Sequence, residues 1–239
     1  MNSIEGYRGE PRNKPPFPVQ VGLFGKPTVV NNVETLVNVL DIVIQGGLAF
    51  AARGTADATG TKLFCLSGCV TRPGLYEVPF GTTLRELLTL ASGVRDGRAL
   101  QAVLLGGAAG TFVFPEHLDT PLTFAGVRSI GASLGSGVVM VLDETIDVQT
   151  ILRRIAAFFR DESCGQCVPC RVGTVRQEEL LHRLCTGHTL GTLHDELALH
   201  AELGQVMRDA SICGLGHTAA NAIASALPRL PLFPSARHP

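Results

Sequence analysis

Three of the seven cysteines fall in Cys164-Gly-Gln-Cys167-Val-Pro-Cys170, a C-x-x-C-x-x-C run. Thiols at every third residue of a tight turn converge on one centre, and such a turn aims backbone N–H groups at the sulfurs. Iron–sulfur clusters need four thiolates and are tuned by hydrogen bonds of that kind. The run therefore reads as a cluster site that lacks one ligand, and Cys185 and Cys213 are the candidates for it. Cys213 sits in Ser211-Ile-Cys-Gly-Leu-Gly216, a glycine-rich turn ahead of a last helix, and reads as a second ligand loop. Cys185 continues the stripe of Leu180, Leu181 and Leu184 and reads as a core thiol. The competing chemistry is zinc, with His182, His188 or His217 as fourth ligand, although structural zinc more often uses two separated pairs. A redox C-x-x-C pair would follow a thioredoxin-like strand, which is not legible here. Cys65 lies mid-strand, and it and Cys69 read as ordinary buried or turn thiols. An odd count of cysteines with three inside seven residues favours a metal centre over disulfides.

The remaining motifs are weaker. Arg171, beside the cysteines, either steadies a reduced and more negative cluster or pairs with an exposed Glu. Gly131-Ala-Ser-Leu-Gly-Ser-Gly137 does not have the G-x-G-x-x-G spacing of a dinucleotide fingerprint, and neither a Walker loop nor a zinc-protease motif is present.

The elements that must position these thiols follow from the rest of the chain. It has 239 residues, 45% of them apolar, a mean hydropathy of +0.25, and 20 basic against 21 acidic side chains. That supports a packed core and excludes general disorder. The near-zero balance gives no support for a nucleic-acid-binding surface. The start is polar and acidic, without a signal-peptide core, and no sustained apolar stretch is long enough to span a membrane, so the expected location is cytoplasmic.

Three segments differ in character. Residues 1–57 open with the proline-rich Pro11–Pro18, which cannot be helical. A helix follows, in which Asn31 and Glu34 have capping-box spacing and Val33, Leu36, Val37, Leu40 and Ile44 form the apolar stripe. Residues 58–143 hold a hairpin around Arg72-Pro-Gly74, a helix opened by the capping box Thr83-Leu-Arg-Glu86, and strands at Ala102–Leu105, Phe112–Phe114 and Val138–Leu142. Residues 144–239 carry helical stripes over Thr150–Arg160, Val175–Leu184, Leu193–Met207 and Thr218–Leu227, with short connections that favour a bundle. The expected class is α+β and multidomain: a small sheet with one packed helix, then four helices that carry the metal site.

Three stretches make the reading more specific. The first is Asn2-Ser-Ile-Glu-Gly, Arg8-Gly-Glu-Pro-Arg, Lys14-Pro-Pro-Phe-Pro and Gly25-Lys-Pro-Thr-Val-Val-Asn-Asn-Val-Glu-Thr. The second is Glu162-Ser-Cys-Gly-Gln-Cys-Val-Pro-Cys-Arg-Val-Gly-Thr, and the third is Ser211-Ile-Cys-Gly-Leu-Gly-His-Thr-Ala. In this order they resemble the C-terminal part of the 51-kDa flavoprotein family of NADH dehydrogenases, which also supplies the diaphorase components of soluble NAD-dependent formate dehydrogenases and hydrogenases. Val70–Leu87 resembles that family's β-grasp domain of the soluble-ligand-binding (SLBB) type.

The resemblance implies that residues 1–57 are the end of an FMN- and NADH-binding domain, 58–143 the β-grasp domain and 144–239 a four-helix iron–sulfur domain. It implies that Cys164, Cys167, Cys170 and Cys213 hold a [4Fe–4S] cluster, and that Asn31 and Asn32 face FMN. It implies that electrons pass from NADH through FMN to the cluster. The family's glycine-rich NADH and FMN region would precede residue 1, so the chain alone is expected not to oxidise NADH. Expected partners are a smaller, 24-kDa-like iron–sulfur subunit and a larger catalytic subunit, with no nucleic acid and no membrane insertion. Within the family, Cys213–Ala219 and Arg171–Glu179 look closer to soluble formate dehydrogenase and hydrogenase partners than to complex I, with a formate dehydrogenase β-subunit preferred; hydrogenase diaphorases and complex I stay open, as does a zinc-stabilised β-grasp interaction module.

Overall fold

The structure, a computed structural model, describes residues 1–229. A five-stranded sheet lies at its centre. It is built from β1 (Thr61–Gly68), β2 (Gly74–Pro79), β3 (Leu100–Leu105), β4 (Thr111–Val113) and β5 (Val138–Asp143), in the order β2-β1-β5-β3-β4. β1 and β2 form the expected hairpin, with Leu66 opposite Gly74. The chain's last strand, β5, inserts beside the first and runs parallel to it, Leu66 facing Val139, while its other edge pairs antiparallel with β3.

Strand side chains alternate between the two faces of a sheet, and both faces here are covered. Val103, Leu105, Val139 and Val141 point to one side, where they pack with Phe64, Leu66 and the buried Leu84, Leu87 and Leu88 of a helix over Leu84–Leu90. That helix has the predicted capping box at Thr83 and Glu86. Ala102, Leu104, Phe112 and Leu142 point to the other side and join the core of the C-terminal helices. Burial on both faces is why β3 reads Leu-Gln-Ala-Val-Leu-Leu, a nearly unbroken apolar run.

Numbered in chain order, the helices that concern the thiols are α1 (Val33–Gln45), α2 (the Leu84–Leu90 helix), α3 (Val148–Glu162), α4 (Val168–Thr186), α5 (Leu193–Ala210), α6 (Gly214–Thr218) and α7 (Asn221–Ala226). The mixed α+β class agrees with the sequence reading; two helix boundaries do not. The helix expected from Val175 begins at Val168, because Pro169 lies in its first turn, where its missing N–H costs nothing. The last expected helix is broken into α6 and α7. Leu152, Ile155 and Phe159 of α3 meet Leu180, Leu181 and Leu184 of α4 in the core, and a two-pronged ion pair ties α4 to α5: Arg183 donates from Nε and Nη2 to the buried Glu196 at 3.0 and 2.7 Å.

Residues 1–57 add little to these cores. α1 buries none of its side chains, and Val33, Leu36, Val37, Leu40, Val43 and Ile44 are all exposed. Its N-cap is Asn32, which accepts the Thr35 N–H at 3.2 Å, rather than Asn31. Glu34 leaves the expected capping role and reaches β1, accepting from the Leu63 N–H at 2.7 Å and from Lys62 Nζ at 3.0 Å. Among the described residues no helix is long and apolar enough to cross a membrane.

Candidate metal centre

Two elements bring the thiols together. Cys164 lies in the short loop after α3, Cys167 is the N-cap of α4, and Cys170 sits inside the first turn of α4 and is buried. The fourth, Cys213, is the N-cap of α6, just beyond the end of α5. All four line one cavity of about 230 Å³, together with Ser163, Gly165, Gln166 and Leu215. The other side of the cavity is lined by Gly9, Glu10 and Pro11 of the N-terminal arm, which is tied down where Arg8 Nη2 donates to the Ser163 carbonyl at 3.3 Å.

Cys185 is not among the lining residues. It lies on α4 fifteen residues beyond Cys170, roughly 22 Å along the helix axis at 1.5 Å per residue. His182 faces a larger groove of about 750 Å³ between α3 and α4, with Arg153, Arg154 and Arg183. His217 lies nearer, but its Nε2 meets the Ser211 carbonyl at 2.6 Å. Among the described residues no three His, Cys, Asp or Glu side chains are placed to grip one metal ion. A single zinc would need its thiolates about 3.8 Å apart at Zn–S of ~2.3 Å. Asn31 and Asn32 are exposed at the start of α1 and do not line the cysteine cavity.

The thiols differ in their local electrostatics. Burial pushes the Cys170 thiol up, the Ser163 hydroxyl works against that, and the neighbouring Cys167, Cys213 and Cys164 push it further. Burial also raises Cys167, but backbone N–H groups of Ile212 and Cys170, with the Ser211 hydroxyl, outweigh it and leave that thiol below its usual value. Four thiolates repel one another unless bound iron supplies positive charge, which inverts the local preference. The donor set of four sulfurs, the shared cavity and the N–H groups aimed at sulfur fit a [4Fe–4S] cluster.

Arg171 stays beside the cysteines and bonds their loop rather than a Glu side chain. Its Nη1 donates to the Gly165 carbonyl at 3.0 Å and holds the loop between Cys164 and Cys167. Gly165 has φ +78°, a left-handed turn that glycine adopts without strain. Gln177, fully buried on α4, donates to the Ala219 carbonyl at 3.0 Å and so fixes the chain after Cys213 against the helix that carries Cys170. Sequence reasoning missed Ser163, Ser211 and Gln177. The two serines stand one and two residues from cysteines that line the cavity, and that proximity is the signal that could have found them.

Comparison with known proteins places the chain in a family. The family model for the NADH-ubiquinone oxidoreductase-F iron-sulfur binding region matches residues 150–231, and the SLBB domain model matches residues 63–108. The NADH-quinone oxidoreductase F protein of Mycobacterium tuberculosis is 42% identical over 95% of this chain and 50% of its own length. Its counterpart in Aquifex aeolicus is 41% identical over 97% and 52%. The HndC component of the NADP-reducing hydrogenase of Solidesulfovibrio fructosivorans is 40% identical over 95% and 46%. A crystal structure of an air-oxidized NAD+-reducing [NiFe]-hydrogenase superposes with a TM-score of 0.83 at 42% identity, over 95% of this chain and 38% of that one. The chain spans about half the length of the curated relatives it matches. A [4Fe–4S] cluster, FMN and NAD are the cofactors of the family to which these relatives belong. The chain belongs to the 51-kDa flavoprotein family of NADH dehydrogenases and matches its C-terminal, iron–sulfur-binding part.

Proposed function

We propose that this chain is the electron-transfer portion of an NAD(H)-dependent oxidoreductase, and that Cys164, Cys167, Cys170 and Cys213 hold its [4Fe–4S] cluster. The observation that carries the reading is the convergence of these four thiols, from two separate loops, on one cavity. The cluster, when bound, supplies a one-electron carrier suited to a flavin that has taken a hydride from NADH. The chain's own residues hold it: Arg171 fixes the loop between Cys164 and Cys167, Gln177 fixes the chain after Cys213, and Gly9–Pro11 of the N-terminal arm line the cavity's other side.

In this reading residues 1–57 adjoin an FMN- and NADH-binding unit, 58–143 form a β-grasp domain and 144–239 the iron–sulfur domain. The bare apolar face of α1 supports the first assignment, since such surface marks an interaction site. The parallel pairing of β1 with β5 around a packed helix supports the second. Asn31 and Asn32 stand at a helix N-terminus, where an anionic phosphate of FMN is favoured. NADH oxidation belongs to the whole assembly, in the cytoplasm, with a smaller iron–sulfur subunit and a larger catalytic subunit as partners. The Cys213–Ala219 and Arg171–Glu179 stretches favour a soluble formate dehydrogenase or hydrogenase over complex I, and we take a formate dehydrogenase as the first reading. Similarity to an NAD+-reducing hydrogenase supports a hydrogenase diaphorase as the second reading.

Anaerobic reconstitution with iron and sulfide, followed by metal analysis, tests the cluster reading. Four irons and four sulfides per chain are expected; retained zinc with no sulfide would instead mark an interaction module. Gentle purification of the parent complex then sorts its kind: molybdenum marks a formate dehydrogenase and nickel a hydrogenase.

A further inference from the structure

We infer that Ser163 and Ser211 are positioning residues whose hydroxyls donate to the sulfurs of Cys170 and Cys167 in the occupied site, and that both raise the cluster's reduction potential. The inference rests on the cluster reading above. Ser163 Oγ lies 3.3 Å from Cys170 Sγ, and the same oxygen accepts the Gly165 N–H at 3.4 Å. Accepting that N–H leaves the hydroxyl's single proton free to point at sulfur. A metal-bound thiolate has no proton to give, so the direction of that bond is fixed once the site is filled.

Ser211 supplies the second case. It is 8% exposed, and its buried Oγ is close enough to the Cys167 thiol to help lower it yet completes no hydrogen bond. Buried hydroxyls are rarely left unpaired, and a thiolate here would be the missing acceptor. Gly216 makes the placement possible: a Cβ there would stand 2.2 Å from Ser211 Oγ and 3.0 Å from Cys170 Cβ. The Ser211 carbonyl meets His217 Nε2 at 2.6 Å, so the serine's backbone is held as well. Hydrogen bonds to cluster sulfurs stabilise the reduced, more negative state and so raise the potential.

The test uses the full chain, reconstituted with iron and sulfide, and reads the midpoint potential by an EPR-monitored redox titration. Ser163→Ala and Ser211→Ala should each lower the midpoint with four irons retained, and the double variant should lower it further. Thr111→Ala, which also removes a buried unpartnered hydroxyl but outside the cysteine cavity, should leave it unchanged. Ser163→Thr keeps the donor and should return the wild-type value. If an alanine variant takes up no iron, Ser163→Val, matched in shape to Ser163→Thr, or Ser211→Gly, each likewise without the donor, replaces it and should still lower the midpoint. A loaded protein whose potential ignores both serines overturns this inference alone. A wild-type chain that takes up no iron overturns the cluster reading and this inference with it.

Discussion

Gly173 offers a test of how the two ligand elements are held in register. It lies three residues beyond Cys170 on α4 and packs against Met207 of α5, which is 1% exposed and precedes Cys213 by six residues. A Cβ at Gly173 would stand 2.5 Å from Met207 Cγ and 2.7 Å from its Sδ. Carbon atoms in ordinary contact are ~3.5–4.0 Å apart, so Gly173→Ala must either part the helices by about 1 Å or evict Met207 from its site. Overpacking of this kind costs about 1–3 kcal/mol. Helix propensity pulls the other way, favouring alanine by about 0.5–1 kcal/mol. The net expectation is a loss of about 1–2 kcal/mol. Iron content should fall with it, because moving α5 carries Cys213 away from Cys170. Urea unfolding followed by circular dichroism, with iron per chain measured in parallel, reads both effects. Met207→Ala in the same chain makes room for the new methyl group, and the pair should couple favourably by about 1–3 kcal/mol. A Gly173→Ala chain stabilised as propensity alone dictates, with full iron and simple additivity to Met207→Ala, would refute the packing argument.

Two further expectations concern α5. His200 is 2% exposed with Nε2 unpartnered, and burial pushes its imidazole down to about 4. Its neutral form is the one the fold accepts, so its contribution is intact above the ordinary value of about 6.5 and is lost as pH falls towards 4, costing about 2 kcal/mol by pH 5. His200→Leu should therefore lose less stability than wild type between about pH 7.5 and pH 5 in urea unfolding; parallel losses would contradict the assignment. The hydrogen-bonded Arg183 guanidinium holds the Glu196 carboxyl below its usual range, so the pair's contribution is present above that range and fades as pH falls through the depressed value. Glu196→Gln leaves Arg183 half-satisfied and should cost about 3 kcal/mol near neutral pH; a cost below about 0.5 kcal/mol would place the pair among inert surface bridges.

The sequence carried what periodicity and short spacing can carry. β3 was legible because both of its faces are buried, the Thr83–Glu86 cap because it is local, and the cysteine run because its spacing is itself the chemistry. The start of α4 was not legible: Cys167-Val-Pro-Cys170 lacks an apolar stripe, and a proline in a first helical turn resembles a helix boundary. Glu34 has capping spacing, and nothing in the sequence announces its bond to Leu63. The arm that lines the cysteine cavity was hidden for the same reason, since the Arg8–Ser163 contact joins residues 155 positions apart. Cys213 could be preferred to Cys185 from its glycine-rich surroundings, but only the helix rise from Cys170 gives the physical reason that Cys185 stays away.

The most direct test compares two cysteine variants of the reconstituted chain by Mössbauer spectroscopy and iron analysis. Cys213→Ala should abolish loading of a four-iron centre, and Cys185→Ala should load as wild type. Four irons retained without Cys213, or lost without Cys185, would contradict the ligand set on which the account rests.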